Sequence, residues 1–254
     1  MSSTNRGGER EVSDYYKTPV PVVCDFLQQW AFDDFGGKFP FTTMLDPCAG
    51  GVAGKQEMSY PESVRRCADL FPQLCEDDIV TLDIRADSPA SIHADYRMFP
   101  RMDLEVEPEL IMTNPPFVFA QEIIEKALAD VHPDGYVVML LRLNFFGGFK
   151  RLDFWWRHMP VRCYVHSKRI GFTDDGKTDS IEYMHCVWHK ATKPDATKLK
   201  VLGGDVLARR LTQASGKATA GEPTNKEPAL FSGELSFGSV LTTADENSPK
   251  VANE

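Results

Sequence analysis

The sequence predicts an α/β protein: a mostly parallel sheet with helices on both faces and an antiparallel hairpin towards the C-terminus. From about residue 19 onwards, short apolar runs alternate with segments of helical periodicity. Residues 136–141 are apolar at every position, as expected of a central strand buried on both sides. In residues 120–131 the apolar side chains recur at i, i+3 and i+4, which predicts a helix that ends at Pro133-Asp134-Gly135.

The other elements follow in chain order. Val22, Phe26, Leu27 and Trp30 have helical spacing, and Gly36-Gly37 ends that helix. The remaining predicted elements are strands at 41–45, 78–83, 109–113, 161–166 and 181–189, and a helix at 63–71. The last two strands are joined by a polar loop in which Asp-Asp-Gly-Lys has the chemistry of a hairpin turn.

Composition is that of an ordinary globular protein. The chain has 254 residues, of which 42% are hydrophobic and 26% charged, which excludes wholesale disorder, collagen-like and coiled-coil structures. The six cysteines contain no CxxC pair, so they predict reduced thiols rather than a zinc site or a disulfide framework. No apolar stretch is long enough for a membrane span, and the N-terminus lacks the apolar core of a signal peptide, so we expect a soluble, cytoplasmic protein.

Three regions are predicted along the chain. Residues 1–13 form a flexible N-terminus and residues 14–200 the folded domain. Residues 201–254 are expected to form a largely disordered tail, because they offer little apolar surface to offset the entropy of ordering. Beyond about residue 192, where large apolar residues become few, residues 199–202 and 206–211 are the segments that could order locally.

The net charge of −9 hides a division along the chain. Residues 1–139 carry 24 acidic and 11 basic side chains, whereas residues 140–200 carry 6 acidic and 12 basic ones. Such an asymmetry is expected if one edge of the fold meets an anion such as nucleic acid, and it is equally expected of a solvated basic face.

Polar residues that follow the predicted strands are the best candidates for a site, because ligands of open parallel sheets gather where strands end. These residues are the turn Asp46 to Gly51 (DPCAGG), Asp83, Asp95 and the segment Asn114 to Phe117 (NPPF). Each has an alternative role: tight packing for the glycines, a cap for Asp83 and a surface position for Asp95. NPPF is the strongest, because two prolines stiffen the chain and fix the directions of the Asn114 amide and the Pro115 carbonyl.

Taken in order, these motifs resemble those of the class I S-adenosylmethionine-dependent methyltransferases, and among them the DNA adenine-N6 methyltransferases with NPPF or NPPY signatures. Tyr-Lys-Thr-Pro at 16–19 is similar to the N-terminal cofactor motif of that group, and the motif order is similar to the gamma arrangement. Residues 142–151 and 171–188 resemble segments of small phage and prophage adenine methyltransferases. The resemblance covers about residues 14–190. The 37 residues from Asp46 to Asp83 exceed the usual spacing of about 20, which implies an insertion between Gly51 and Pro61 and makes Gly54 a second glycine candidate.

The resemblance implies a Rossmann-like, seven-stranded sheet and S-adenosylmethionine as the cofactor. The ribose would be bound by Asp83 and the cofactor's adenine amino group by Asp95. The implied cofactor-binding residues are Tyr16, Thr18, Pro19, Asp46, Pro47, Cys48, Gly50, Asp83 and Asp95. Residues 185 and 189, both histidines on one side of a predicted strand, are interpreted as structural, because no third ligand for a metal ion lies nearby in sequence.

The implied reaction is methylation of adenine N6 in DNA. The implied catalytic residues are Asn114, Pro115, Pro116 and Phe117. The Asn114 side-chain oxygen and the Pro115 carbonyl would accept the N6 hydrogens and bias the amine towards a nucleophilic geometry, while Phe117 would stack on an adenine flipped out of the duplex.

DNA is the expected partner, read with short or relaxed sequence specificity because no separate recognition domain follows NPPF. The expected DNA-contacting residues are Phe146, Lys150, Arg151, Lys168, Arg169 and Lys177, with Arg157 and Arg162 as further phosphate contacts and residues 167–180 as the sequence-reading loop. Restriction evasion and regulation are both compatible biological roles.

Other functions fit the same residues. NPP motifs suit any planar amino group, so methylation of RNA adenine or of a protein glutamine is an alternative. A nucleic-acid-binding or anti-restriction protein that keeps the fold without turnover is another, and failure to bind S-adenosylmethionine would identify it.

Overall fold

The computed structural model describes residues 17–105, 107–172 and 181–203. The chain divides into two compact units, Met1–Leu211 and Thr212–Glu254, and every element below belongs to the first. The expected N-terminal segment 1–13, the hairpin turn at Asp-Asp-Gly-Lys and the tail beyond residue 203 lie outside the described residues. Among the described residues, no helix has both the length and the apolarity needed to cross a membrane.

The described residues of this unit form four α-helices and eight strands. The helices are α1 (Val20–Phe35), α2 (Ser59–Arg66), α3 (Ala120–Asp130) and α4 (Leu152–Arg157). The strands are β1 (Met44–Asp46), β2 (Ile79–Asp83), β3 (Ile92–His93), β4 (Leu110–Thr113), β5 (Tyr136–Arg142), β6 (Arg162–His166), β7 (Tyr183–His189) and β8 (Lys198–Leu202).

The strands form one sheet in the order β3-β2-β1-β4-β5-β7-β6-β8. The first five strands of this order are parallel, and β7 is antiparallel to both of its neighbours. The predicted mostly parallel sheet with a C-terminal antiparallel hairpin is confirmed. It has eight strands rather than seven, because β8 adds to the outer side of β6 in a parallel register.

Alternate side chains of the strands build two cores, one on each face. On one face, Met44, Leu110 and Val138 pack with residues of α1 and α2. On the other, Ile111 and Val137 pack with residues of α3 and α4. Because successive strand residues point to opposite faces, continuous apolar runs such as residues 136–141 are buried on both sides.

One predicted helix begins elsewhere. Residues 63–71 were expected to be helical, but α2 begins at Ser59 and a short 3-10 helix, Ala68–Leu70, follows it. Pro61 is compatible with this earlier start because the first helical turn needs no amide donor. Tyr60 and Val64, four positions apart, then lie buried on the same face. The Gly36 position does end α1 as predicted, with φ of 64°.

A candidate active site at the carboxyl edge of the sheet

The parallel strands end at one edge of the sheet, which we name the carboxyl edge. Neighbouring strands β2, β1, β4 and β5 end there at Asp83, Asp46, Thr113 and Arg142. Burial raises the pKa of the nearby Cys48 thiol, and the charges of Asp46, Asp83 and Asp95 raise it further. The topology therefore brings together strand-end residues that are spread over the sequence from Asp46 to Arg142.

The turn after β1 takes its shape from left-handed glycines. Gly50 and Gly51 have φ values of 67° and 78°, a region that side chains disfavour. The Gly50 amide donates a 2.8 Å hydrogen bond to Asp83 Oδ2. A Cβ on Gly51 would lie 2.9 Å from Pro89 Cδ. The glycines are thus required by packing within the chain, which was the alternative role considered from sequence.

Side chains from the segment after β2 brace the glycine turn. The Ser88 hydroxyl donates to the Gly50 carbonyl, and the Arg85 guanidinium donates to the Gly51 carbonyl. Both bonds cross more than 30 positions of sequence. Sequence reasoning missed these residues because no local pattern marks a bond of that range.

The insertion expected between Gly51 and Pro61 is a tight turn. Val52 and Gln56 form an antiparallel bridge that closes it. Gly54 lies at its exposed tip with φ of 70° and nothing near the position of a Cβ. The backbone requirement of the turn accounts for this glycine.

Asp83 is buried, and its carboxylate accepts hydrogen bonds from two backbone amides. Its Oδ2 accepts the Gly50 amide, and its Oδ1 accepts the Arg85 amide at 2.8 Å. A carboxylate oxygen can accept two hydrogen bonds, so each oxygen retains capacity for a ligand hydroxyl. Ile84 follows it directly and is 62% exposed, an apolar surface beside a polar turn that sequence reasoning overlooked.

Asp95 is held by its neighbour Arg97. The Asp95 Oδ2–Arg97 Nη2 distance is 2.7 Å, and Oδ1 accepts from the Arg97 amide and Nε. These bonds lower the pKa of Asp95, with the side-chain bonds to Arg97 as the largest cause. The Arg97 guanidinium also lies 3.7 Å above the ring of Phe119. Asp95 is therefore tied to the segment that follows NPPF.

Asp46 is the most strongly perturbed acid of the carboxyl edge. It is 0% exposed, and burial raises its pKa from 3.8 to about 7. The Thr113 side chain and the Cys48 amide lower the pKa in part, and the charge of Asp83 raises it. Its Oδ2 makes no well-formed hydrogen bond within the described residues. A carboxylate kept in this state is a signature of a binding or catalytic site.

Two threonine hydroxyls are buried at the same edge. Thr113 Oγ1 lies beside the Asp46 carboxylate, and Thr18 Oγ1, just before α1, lies beside the Tyr60 hydroxyl. Neither threonine oxygen makes a well-formed hydrogen bond within the described residues. Buried polar atoms are usually well paired in native proteins, so buried oxygens without a well-formed hydrogen bond at this edge leave capacity for a polar ligand.

A buried polar chain runs inward from Tyr60. The Tyr60 hydroxyl lies 3.1 Å from His185 Nε2, and His185 Nδ1 lies 2.8 Å from His166 Nε2. Burial lowers the pKa of His185 well below its ordinary value and that of His166 to about 4. Neutral imidazoles can both donate and accept, so the chain is satisfied without a charge. The other histidine of the predicted pair, His189, stacks on the ring of Tyr136.

The NPPF segment is partly buried. Asn114 and Phe117 are half-buried, Pro115 is buried and Pro116 is exposed. The Phe117 ring lies 5.8 Å from the ring of Tyr183, and the Arg142 guanidinium lies 4.6 Å from its centroid. The segment is held on β4 by packing while part of it faces the carboxyl edge.

The remaining residues predicted from sequence divide into three groups. Pro19 caps α1 beside Thr18, and Pro47 is buried in the turn after β1. Lys150, Lys168 and Arg169 are exposed at the carboxyl edge, where the chain leaves β5 and β6. Tyr16, Lys177 and residues 173–180 of the predicted reading loop lie outside the described residues.

Two expected DNA contacts have partners inside the protein. The Phe146 ring stacks on Trp155 with centroids 4.4 Å apart. Arg151 donates to the Gly147 carbonyl at 2.9 Å and lies over the ring of Phe145. Both side chains therefore shape the turn after β5, and the aromatic ring that this turn exposes is Phe149.

The two further arginines are engaged by acids. Arg157 pairs with Asp153 and Glu125. Arg162 begins β6, at the edge opposite the predicted site, where its Nε donates to Asp34 Oδ1 at 2.7 Å. We therefore do not include Arg162 in the nucleic-acid interface.

Comparisons with known proteins identify the fold. No protein-family model matches the chain, and no curated protein matches its sequence. A class I S-adenosylmethionine-dependent methyltransferase of this fold from Listeria monocytogenes is 12% identical, with a TM-score of 0.50 over 80% of this chain and 71% of the other. The type IIG restriction endonuclease BpuSI is 10% identical, with a TM-score of 0.51 over 77% of this chain and 28% of the other. The chain thus spans about a quarter of BpuSI, and it has the Rossmann-like fold of the class I methyltransferases.

Proposed function

We propose that this protein transfers a methyl group from S-adenosylmethionine to the N6 amino group of adenine in DNA, with short or relaxed sequence specificity. The observation that carries the proposal is the juxtaposition of NPPF with the buried carboxylate of Asp46 and the buried hydroxyls of Thr18 and Thr113, which make no well-formed hydrogen bond among the described residues. In a fold of this class, that edge is where ligands bind. The neighbours named above support the fold and leave the substrate to be tested.

The donor set fits the cofactor. S-adenosylmethionine carries an ammonium, a carboxylate, a sulfonium and two ribose hydroxyls. Asp46 offers an acceptor for a cation, and the Thr18 and Thr113 hydroxyls can donate or accept. Asp83 retains acceptor capacity for ribose hydroxyls, and Ile84 presents an apolar surface suited to a purine ring. Asp95 Oδ2 accepts one hydrogen bond from Arg97 and would accept a second from the adenine amino group of the cofactor.

When bound, the cofactor supplies an electrophilic methyl group on a positively charged sulfur. The chain's own task is to prepare the amine, because an exocyclic amine of adenine has its electron pair delocalised into the ring. Two acceptors, the Asn114 side-chain oxygen and the Pro115 carbonyl, would accept hydrogen bonds from its two N–H groups and favour a pyramidal nitrogen. One of these two protons would leave to solvent once the nitrogen carries the methyl group, with the sulfur left as a neutral thioether. Positioning of this kind supplies roughly 7–11 kcal/mol in favourable cases.

Phe117 provides the surface against which the base would be held. Its ring is fixed by Tyr183 and Arg142 and remains half-exposed. Stacking of a base on such a ring contributes about 1–3 kcal/mol, comparable with the cost of taking adenine out of the duplex.

The direct test is incubation of the protein with labelled cofactor and unmodified DNA, followed by digestion to nucleosides. We expect the label in N6-methyladenine, and sequencing then defines its context. Label in RNA or in a protein glutamine would replace DNA as the substrate. Absence of cofactor binding in calorimetry would favour the silent nucleic-acid-binding alternative.

The acceptor role of Asn114 is tested with a matched pair of variants. Asn114→Ala removes the oxygen, and we expect methylation to fall by roughly 10²–10³-fold, as for the loss of other groups that act in the transition state. Asn114→Asp keeps an acceptor oxygen and should retain more activity than the alanine variant. Cofactor affinity should be nearly unchanged in both. A fully active alanine variant would refute the acceptor model.

A further inference from the structure

The turn between β5 and α4 exposes an apolar stripe. Phe149 is 90% exposed, and Leu152 and Trp156 are 49% and 81% exposed. Their spacing of three and four residues puts these side chains on one face, while Phe154 and Trp155 are buried on the other. Exposed apolar side chains grouped in this way mark a surface that meets a partner.

The turn is rigid despite its exposure. Arg151 donates to the Gly147 carbonyl and lies 4.5 Å over the ring of Phe145. Phe146 stacks on Trp155 of α4. Gly148, with φ of 102°, gives the turn its reversal directly before Phe149. A backbone braced in this way presents Phe149 at a fixed place and loses little conformational entropy when the turn binds.

The turn also lies beside the proposed site. β5 reaches the carboxyl edge at Arg142, whose guanidinium lies on the Phe117 ring, and α4 leads back towards the start of β6 at the opposite edge. Residues 143–151 are therefore where the chain reverses at the carboxyl edge. Lys150 is exposed next to Phe149 and offers a cation for a phosphate.

We propose that Phe149 enters the base stack of duplex DNA and occupies the place that the target base leaves, with Lys150 on the adjacent phosphate. The inference rests on the proposed function for its substrate. An exposed ring beside a cation matches the chemistry of nucleic acid, which offers apolar base faces between charged phosphates. Phe149 inserted in this way acts as a wedge: its ring stacks on the neighbouring bases and offsets the stacking lost when the target base flips out.

The first test compares methylation of native and heat-denatured unmodified DNA. Insertion of Phe149 matters only when a duplex must be opened. Phe149→Ala should therefore lower the initial methylation rate on native DNA by about tenfold or more. The methylation rate on denatured DNA should change by less than about threefold. Phe149→Leu should restore much of the native rate. The control is Phe32→Ala, a comparably exposed ring in the last turn of α1, which should change neither rate.

The second test does not depend on turnover. Wild-type protein should bind a labelled duplex with a central abasic site about fivefold or more tightly than the intact duplex, because a wedge fills the gap, and Phe149→Ala should lose this preference. Loss of methylation on both DNA forms alike, or an abasic preference that survives in Phe149→Ala, overturns the wedge. If neither DNA form is methylated by the wild type but the Phe149-dependent abasic preference is present, the proposed reaction fails and the wedge stands.

A surface for a protein partner is a distinguishable outcome. It predicts that Phe149→Ala leaves both methylation rates and the abasic preference unchanged. That result would also overturn the wedge.

Discussion

The two edges of the sheet satisfy their polar side chains in different ways. At the opposite edge, where the parallel strands begin, both acids in the last turn of α1 meet a cation: Asp33 pairs with Lys200 at 2.7 Å, and Asp34 pairs with Arg162. The Tyr164 hydroxyl adds a hydrogen bond to Asp33. At the carboxyl edge, Asp46 is buried without a cation among the described residues, and the Thr18 and Thr113 oxygens make no well-formed hydrogen bond there. The difference separates a surface organised for stability from one that keeps polar capacity for a ligand.

The pKa values show the same contrast. Hydrogen bonds from Lys200 and Tyr164 lower the pKa of Asp33 even though burial opposes them. Burial raises the pKa of Asp46 to about 7. The first carboxylate therefore stabilises the fold at neutral pH, and the second destabilises it.

The largest expected effect is on Asp46→Asn. The folded state binds the Asp46 proton more tightly than the unfolded state does. The buried charge therefore lowers the free energy of unfolding only where Asp46 ionises: the loss is absent below about pH 4, grows as pH rises and reaches its full value above about pH 7. A rise of the pKa from 3.8 to about 7 corresponds to roughly 4 kcal/mol as an upper bound. Urea unfolding at pH 8 should show the variant to be more stable than the wild type, with a smaller difference at pH 5.

The matched control at the other edge is Asp33→Asn. Because the pKa of Asp33 is lowered, its charge contributes stability above the ordinary pKa, and that contribution is lost as pH falls. The variant should therefore be slightly less stable than the wild type at pH 8. An Asp46→Asn protein that is less stable than the wild type at pH 8 would contradict the comparison.

The second prediction concerns cofactor affinity. A cation beside Asp46 favours the carboxylate, so binding should strengthen as pH rises through the pKa of about 7. Between pH 6 and pH 8 the dissociation constant of S-adenosylmethionine should fall by up to about tenfold. Calorimetry at the two pH values measures this change, and Asp46→Asn should bind weakly with little pH dependence. Equal pH dependence in both proteins would assign the titration to another group.

The third prediction uses near-isosteric changes to remove one oxygen at each edge. Thr113→Val removes the hydroxyl that lowers the pKa of the buried Asp46 carboxylate, so unfolding stability at pH 8 should fall by about 1 kcal/mol. Tyr164→Phe removes the hydrogen bond to Asp33 and should lower stability by about 1 kcal/mol. Cofactor affinity should fall only in Thr113→Val. Loss of affinity in the Tyr164 variant would show that the two edges are coupled.

The smallest expected effect is on the salt dependence of DNA binding. Lys150→Gln should reduce the slope of log affinity against log salt by about 1, since one phosphate contact is lost. Arg162→Gln should leave the slope unchanged, because Arg162 pairs with Asp34 at the opposite edge. Titrations of a labelled duplex at several salt concentrations distinguish the two. A reduced slope for Arg162→Gln would extend the interface to that edge.

Much of the fold was predictable because it depends on local periodicity. The strand at 136–141 and the helix at 120–131 appear within one residue of their predicted bounds as β5 and α3. The start of α2 was wrong, because a proline in the first turn is read from sequence as a boundary although a helix tolerates it there. β8 was underestimated, because its exposed lysines hide a strand that is formed by pairing with β6.

The sequence predicted which residues form the candidate site, but it did not predict all of the contacts that these residues make. Asp46, Asp83 and Asn114 follow strands, and the topology gathers them. That Asp83 also holds the Gly50 amide, and that Phe146 stacks within the protein while Phe149 is exposed, depends on contacts across the fold. A glycine-phenylalanine-rich stretch such as 145–149 contains no periodic signal that says which ring faces outward.

The amino-acid sequence by itself determined the alternation of strands and helices and the polar residues that end the strands, because side-chain periodicity and strand-breaking residues act over a few positions. Only the tertiary structure decided which of those polar atoms are paired. Whether a carboxylate meets an arginine, as Asp34 does, or stays buried with a raised pKa, as Asp46 does, depends on neighbours that the sheet brings from more than 60 positions away.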